Sequence, residues 1–384
     1  MTPRDKGSGS LYRRAADGMW CGSVTLPDGP DGKRRRKTIV RKRKGDAASA
    51  LRTLKATVER QGDIRTALPT TEAHVRTWIQ QRAAIGKLRP RTISSHTGIL
   101  DRYIAPSIGR IRLDRLTPAH VRSLHSYIIG AGCSATTALQ AHNVLSGALK
   151  SAVRDGLVGR NVAADTDRPA ADHYDAQVLT RGQALDVLAW SRDRSWMEAA
   201  RWGLALLAGL RQGEALGLTR HCVDIERGVV RVEWQLQQLD SEPGKSIRAR
   251  HVTGRMWLVP PKSERGVREV PLVDDLREVL RLRLAEISND PWAFVVTAPH
   301  GGPRDASMDG KAWRAALKAA GAPQVRLHDA RHTTGTLLRA ANIEPRLIQV
   351  ILGHNTAAMT EHYSHLADDE AMLAMGKFQR HLEA

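Results

Sequence analysis

The sequence predicts a multidomain, mainly α-helical chain that also carries small antiparallel β-sheets. Three observations predict it. The length of 384 residues exceeds one ordinary domain and suits two or three. The apolar period changes along the chain, from alternation near the N-terminus to helical spacing, then to a mixture of both. A polar stretch, AADTDRPAADHYDAQ, interrupts the pattern where a domain boundary would fall. The resulting segments are 1–67, 68–165, a linker over 166–177, and 178–384.

Hydrophobic content of 41% supports real cores and excludes a disordered chain. Lys and Arg outnumber Asp and Glu by 59 to 40, a formal charge of +19. Such an excess repels itself unless a polyanion is a normal partner, and nucleic acid is the obvious one. Three scattered cysteines, Cys21, Cys133 and Cys222, form no CxxC pair, so neither a disulfide framework nor a zinc ribbon is expected. Buried thiols in a reducing cytoplasm fit that pattern. The N-terminus shows no apolar h-region and no stretch reaches 18 consecutive apolar residues, so a soluble, cytoplasmic protein is expected.

The first segment reads as a β-hairpin followed by a helix. Met19 to Leu26 holds strand formers, PDGPDGK is turn-rich, and RRRKTIVRKR is a second strand. Asp46 is a plausible N-cap for AASALRTLKATVERQ. Met1 to Thr66 carries 17 Lys plus Arg against 7 Asp plus Glu, a net of +10. Arg34, Arg35, Arg36, Lys37, Arg41, Lys42, Arg43 and Lys44 are therefore candidate DNA contacts for a basic hairpin lying in a groove.

The second segment reads as four helices: TTEAHVRTWIQQRAAI, RPRTISSHTGILDRYIAPSIG, TPAHVRSLHSYIIGAG and SATTALQAHNVLSGALKSAVRDG. Thr71, Thr92 (or Arg91), Thr117 and Ser134 lie near their starts, and Gly86, Gly109, Gly130 and Gly156 near their ends. The third segment mixes helices with strands, GVVRVEWQLQQL and RMWLVPPKSERGVREVPL alternating like a small antiparallel sheet.

Four features of this last segment carry chemistry. In LAGLRQGEALGL, Arg211 and Glu214 share one helix face at i, i+3. In LHDARHTTGTLL, His328 and Arg331 do the same, and a cation beside an imidazole is favourable only with an anion between them. A phosphate would supply that anion, the guanidinium gripping it and the imidazole exchanging a proton. Lys262 sits in a turn between two strands, where its ammonium can swing into a neighbouring site. In LGHNTAAMTEHYSHL, one continuous helix would place His354 and Tyr363 half a turn and roughly 13 Å apart. Gly353 can instead stop one helix and Thr356 cap the next, so that the chain turns and brings Tyr363 back toward His354.

In this order, Arg211, Lys262, His328 with Arg331, His354 and Tyr363, the chain resembles the tyrosine recombinase family of phage-type integrases. The resemblance is specific over about 200 C-terminal residues. It implies an α+β tyrosine-recombinase catalytic domain, a helical-bundle domain that binds core sites, and an N-terminal domain of a small three-stranded sheet plus helix that binds arm sites. It further implies a transesterification in which Tyr363 attacks a phosphodiester to give a 3′-phosphotyrosine. Arg211 and Arg331 would hold the non-bridging oxygens and His328 would act as base. Lys262 would protonate the leaving 5′-oxygen, His354 would donate to the phosphate, and Glu214 would orient Arg211. A free tyrosine with a pKa of about 10 is ionised in roughly one molecule in a thousand at neutral pH, so this help is needed.

No metal or nucleotide cofactor is expected: there is no HExxH or GxxxxGK[ST], and His362 and His365 read as flanking residues. The partners implied are double-stranded DNA attachment sites, a homotetramer in the synaptic complex, and an excision factor or host DNA-bending protein. A chromosome-dimer resolvase, a type IB topoisomerase-like enzyme and a non-catalytic DNA-binding regulator are the alternatives. The tail DDEAMLAMGKFQRHLEA places Ala371, Met372, Leu373, Met375 and Phe378 on an amphipathic helix, which in this family docks on a neighbouring subunit or in cis.

Overall fold

The computed structural model describes residues 10–26, 35–61, 68–172, 174–240, 242–243, 247–261, 266–353 and 364–384. They group into two compact units, Met1–Arg82 with Ser95–Asp172, and Ala83–Ser94 with His173–Ala384.

In the first unit, β1 (Ser10–Arg13), β2 (Trp20–Leu26) and β3 (Arg35–Arg41) form an antiparallel sheet in that order. The central strand β2 is buried over Cys21–Val24 and again at Leu26, while Thr25 is exposed; β3 alternates between exposed and half-buried positions over Arg35–Thr38. The expected hairpin is present as β2–β3, and β1 adds a third strand. Helix α1 (Lys44–Gln61) packs on β2 and β3 through Ala47 and Leu51. It begins two residues before Asp46, so Asp46 lies in the first turn, where its charge opposes the helix dipole's positive end, and is not the N-cap.

The helices over 71–154 follow the expected pattern, Ala83–Ser94 being grouped with the second unit. They are α2 (Thr71–Ala84), α3 (Pro90–Ile99), α4 (Ala105–Ile108), α5 (Pro118–Gly130) and α6 (Ala135–Arg154). Thr117 and Ser134 are N-caps, the latter accepting from Thr137 N at 3.3 Å. The second helix starts on Pro90 instead of at Arg91 or Thr92, because proline supplies a helical φ and its missing N–H costs nothing at a first position. A single π-helical turn over Leu100–Ile104 joins α3 to α4. Leu100, Ile104, Leu124, Ile128, Leu145 and Leu149 build the core between these helices.

The second unit supplies the site. Helices α7 (Arg181–Arg194), α8 (Trp196–Leu206) and α9 (Gln212–Leu216) precede two three-stranded antiparallel sheets. The first holds β4 (Val223–Asp224), β5 (Val229–Val232) and β9 (Arg268–Pro271). The second holds β6 (Gln235–Gln238), β8 (Met256–Val259) and β7 (Arg250–Thr253). The strands flanking Lys262, β8 and β9, thus lie in different sheets and do not pair with each other. Helices α10 (Asp274–Glu286), α11 (Ala306–Ala319), α12 (Leu327–Ala340), α13 (Pro345–Leu352) and α14 (Ser364–Glu383) complete the unit.

Trp202 of α8 and Trp313 of α11 meet with centroids 5.1 Å apart at the centre of the core. Thr334 ties α12 to α8 by donating to the carbonyls of Ala205 and Leu206 at 3.1 and 3.0 Å. Helix α14 packs in cis against α10, α13 and β9, with Ala371, Ala374, Met375, Phe378 and Leu382 buried. Met372 and Leu373, expected on the same face, are exposed, because a 3.6-residue period cannot bury three consecutive positions against one surface.

Candidate functional site

Arg211 stands at the N-cap of α9, in extended backbone, immediately after the left-handed turn at Gly209. At Gly209 φ is +62°, and a Cβ there would come within 2.4 Å of Leu352 Cδ2. Only glycine combines that φ with that approach. Glu214, one turn into the helix, accepts from the Arg211 backbone N at 3.0 Å and from its Nη1 at 2.8 Å. The i, i+3 spacing therefore makes a contact that closes the helix start and aims the guanidinium.

Glu214 is buried and serves a second arginine. Arg268 on β9 donates to it from Nη2 at 2.9 Å and from Nη1 at 3.3 Å. Burial pushes the Glu214 carboxyl up, but Arg268 and Arg211 outweigh that and leave its pKa below the ordinary value. Arg268 escaped the sequence reading. The signal was present: on a strand, Arg268 shares a face with Val270, which is fully buried, so a charged residue occupied a core-facing register position.

His328 and Arg331 lie in the first turns of α12, on one face as their spacing requires. Arg331 is buried and donates from Nη1 to Gly209 O at 2.7 Å and from Nη2 to Leu352 O. Its pKa is lowered to about 9, by burial first and then by repulsion from Arg211 and Arg268. The His328 imidazole opens to solvent on one side. The surrounding protein mass still lowers its pKa, with repulsion from His332 and Arg331 adding to the effect. A lowered imidazole pKa means a neutral ring with a lone pair at neutral pH, the form a base requires.

Both catalytic-type arginines reach successive carbonyls at the end of one helix. Arg211 Nη2 donates to Gly353 O at 3.3 Å, next to the Leu352 carbonyl held by Arg331. Gly353 ends α13 in the left-handed conformation, φ +66°, as its place after PRLIQVIL predicts. A cleft of about 640 Å³ collects Arg211, His328, Arg331, His332 and Leu352 on its walls. Lys262, Thr356, His354, Tyr363 and His362, and the side chain of His365, lie outside the described residues.

One contact joins the former linker to this site. Tyr174 donates its hydroxyl to Asp329 Oδ2, beside His328, and Arg326 stacks over the Tyr174 ring at 3.7 Å.

The candidate DNA contacts near the N-terminus are mixed. Arg36, Arg41, Lys42, Arg43 and Lys44 are exposed, while Arg35 and Lys37 are half-buried; Arg34 lies outside the described residues. Arg36 donates to Ser10 Oγ at 3.0 Å and also to Ser23 Oγ, and Lys44 sits over the Trp20 ring at 5.3 Å. Among the described residues no helix is long and apolar enough to cross a membrane.

Comparison with known proteins agrees with this arrangement. An integrase of Saccharopolyspora erythraea is 25% identical over 418 residues, covering 96% of this chain and 95% of its own. The integrase of Mycobacterium phage L5 is 28% identical over 318 residues, with 81% and 80% covered. Among solved structures, the Tn1549 transposon integrase in complex with transposon right end DNA superposes with a TM-score of 0.63 at 20% identity, covering 79% of this chain and 99% of that one. A lambda integrase tetramer bound to a Holliday junction gives 0.56 at 18% identity, covering 94% and 99%. Residues 177–370, half of the chain and all of the site just described, match the phage integrase family, and the chain belongs to that family.

Proposed function

We propose that the protein is a site-specific DNA recombinase that cleaves and rejoins DNA through a 3′-phosphotyrosine intermediate, integrating a phage or mobile element. The observation that carries this reading is Arg331. Among the described residues it is a buried cation held by carbonyl oxygens alone, its pKa pulled down to about 9, beside Arg211 and His328 on one cleft. A buried guanidinium without a carboxylate of its own gains most from an anion that arrives from outside. A phosphodiester fits, since two guanidinium forks can hold its non-bridging oxygens as charge grows in the transition state.

In this scheme Arg211, aimed by Glu214, and Arg331 grip the phosphate, and His328 takes the proton of Tyr363. His354 donates to the phosphate, and Lys262 protonates the departing 5′-oxygen. The phosphotyrosine retains the energy of the bond it replaces, so no nucleotide cofactor is required. Double-stranded attachment sites are the substrate, with core sites read by the 68–165 segment and arm sites by residues 1–67. A homotetramer on DNA, aided by an excision factor or a DNA-bending protein, is the assembly. The cytoplasm, on the nucleoid, is the place.

The test is a nicked attachment-site duplex incubated with the protein and run under denaturing conditions. A protein–DNA adduct that vanishes in Tyr363→Phe supports the mechanism. An undiminished adduct in that variant, or none from the native chain, overturns it and leaves a non-catalytic DNA-binding regulator. The arm reading has its own measure. Replacing Arg36, Arg41, Lys42, Arg43 and Lys44 by Ala should flatten the salt dependence of DNA binding by about 0.9 log units per lost phosphate contact. An unchanged slope would remove the N-terminal sheet from the DNA interface.

A further inference from the structure

A second polar cluster in the catalytic unit is used by none of this chemistry. His221 and Cys222 end a 3₁₀ turn, Arg220–Cys222, that leads into β4, and Glu233 follows β5 directly. Their ligand atoms all lie within 4.8 Å of one another. His221 Nε2 is 3.5 Å from Cys222 Sγ and 3.8 Å from Glu233 Oε2. In a tetrahedral zinc site, bond lengths of 2.0–2.3 Å set nitrogen–sulfur and nitrogen–oxygen separations of about 3.6 and 3.4 Å. The first distance already fits, and a small rotation of one carboxylate corrects the second.

The other side of the imidazole agrees. His221 Nδ1 lies 2.8 Å from Pro291 O, and a carbonyl can only accept, so Nδ1 carries the proton. In the neutral ring that leaves the Nε2 lone pair directed at the thiol and the carboxylate. A backbone carbonyl behind the ring is the usual outer partner of a metal-ligating histidine. Trp292 packs edge-on against the ring at 4.7 Å and fixes its plane further. An open cleft of about 470 Å³ adjoins the cluster at His221, with Asp224 and Glu226 as well as Arg220 on its wall. Two features oppose binding: burial raises the Cys222 thiol above its ordinary pKa, and Arg231 holds the remaining oxygen of Glu233 at 2.5 Å. Because it binds Oε1, Oε2 stays available.

We propose that His221 Nε2, Cys222 Sγ and Glu233 Oε2 bind one divalent cation of the zinc class, with water completing a four-coordinate shell, at a place separate from the cleft of Arg211 and Arg331. Mixed nitrogen, sulfur and oxygen donors select zinc, or cobalt as its spectroscopic substitute, over magnesium and calcium. The ion ties the 3₁₀ turn to the end of β5. It thereby braces the sheet β4–β5–β9, whose last strand carries Arg268. Its role is structural, since no site residue of the proposed reaction is a ligand.

The experiment treats the full chain with chelator, removes the chelator, and titrates Co²⁺ while recording the absorption spectrum. One equivalent should bring up a thiolate-to-cobalt charge-transfer band. Cys222→Ser should abolish the band, while Cys21→Ser and Cys133→Ser should leave it. Glu233→Gln and His221→Ala should weaken binding by about tenfold or more, since even outer-shell partners of a metal are worth that much. Zn²⁺ should displace the cobalt, shield the Cys222 thiol from alkylation, and raise the melting temperature of the native chain but not of Cys222→Ser. Circular dichroism of the metal-free variants confirms that they are folded. Absence of the band overturns the proposal. So does a band that survives Cys222→Ser, or one lost instead in His362→Ala or His365→Ala.

Discussion

Two clusters in the catalytic unit share a plan and differ in outcome. Around Glu214 stand Arg211 and Arg268; around Asp309 stand Arg201 and Arg304. The Asp309 cluster is closed. Arg201 makes a two-pronged contact at 2.9 and 2.7 Å, both partners are fully buried, and Glu198 at 3.0 Å from Arg304 Nη1 supplies a second negative charge. Two cations thus meet two anions. Among the described residues the Glu214 cluster adds a third arginine, Arg331, and no second carboxylate, so three cations meet one anion there and the surplus faces a cleft. A buried network that only holds a fold balances its charges, because each unpaired one costs several kcal/mol. A network built for an anionic ligand leaves the imbalance standing.

Four measurements can break or sharpen that contrast. The largest effect should come from the surplus itself: Arg331→Ala or Arg211→Ala should slow formation of the covalent DNA adduct by about 10²–10³-fold, the usual cost of one lost charge-stabilising donor. A loss under tenfold would deny these arginines the phosphate.

Next come the two carboxylates. Glu214→Gln and Asp309→Asn each break a buried pair and should cost about 3–5 kcal/mol in chemical unfolding. They should part company on function. Glu214→Gln also slows cleavage per folded molecule, whereas Asp309→Asn acts mainly through the amount folded. Equal catalytic losses would mean that the balanced network is part of the site.

The pH dependence is a smaller and more diagnostic effect. Arg331 has its pKa lowered from the ordinary guanidinium range to about 9. A lowered value means that the stability tied to this group is present above the ordinary pKa and lost as pH falls to about 9, so at neutral pH the free protein carries a strained cation. A bound phosphodiester raises the value again. DNA binding near pH 9 should therefore take up a proton, measurable by calorimetry in buffers of different ionisation enthalpy, and Arg331→Gln should abolish the uptake. For His328 the lowered pKa preserves the neutral base, and its stability contribution, until pH drops below the ordinary histidine value. With DNA below saturation, the acid limb of the cleavage rate should fall under pH 6.5. A limb at or above that value would contradict the geometry.

The smallest effect tests the link between the clusters. Gln212, the residue after Arg211, donates to Asp309 Oδ2 at 3.0 Å and to Ala306 O at 2.9 Å. Gln212→Ala should cost about 1–2 kcal/mol for the two hydrogen bonds lost and change cleavage only slightly. An effect as large as that of Arg211→Ala would make the two clusters one machine.

Helices were legible because their caps and apolar spacing are local: Thr117, Ser134 and Gly353 perform the roles their positions announce. Boundaries were less so. Pro90 and Lys44 start helices ahead of the residues that resembled caps, since a helix start is decided by backbone angles as well as by side-chain oxygens. The cis packing of α14 on α10, α13 and β9 also recasts its role. With Phe378 in the core, deleting the tail would unfold as well as disassemble.

By itself the sequence determined the family, the order of its polar residues and the sharing of one helix face by His328 and Arg331. These depend on residue identity and on spacings of three or four positions, which helix geometry converts directly into neighbours. Only the tertiary structure decided that Arg268 would share Glu214, that Arg331 would donate to the carbonyls of Gly209 and Leu352, and that His221, Cys222 and Glu233 would meet. Apart from the adjacent His221 and Cys222, those contacts join residues from 11 to 122 positions apart. At such separations no backbone period fixes the pairing, and the packing of sheet and helices alone does.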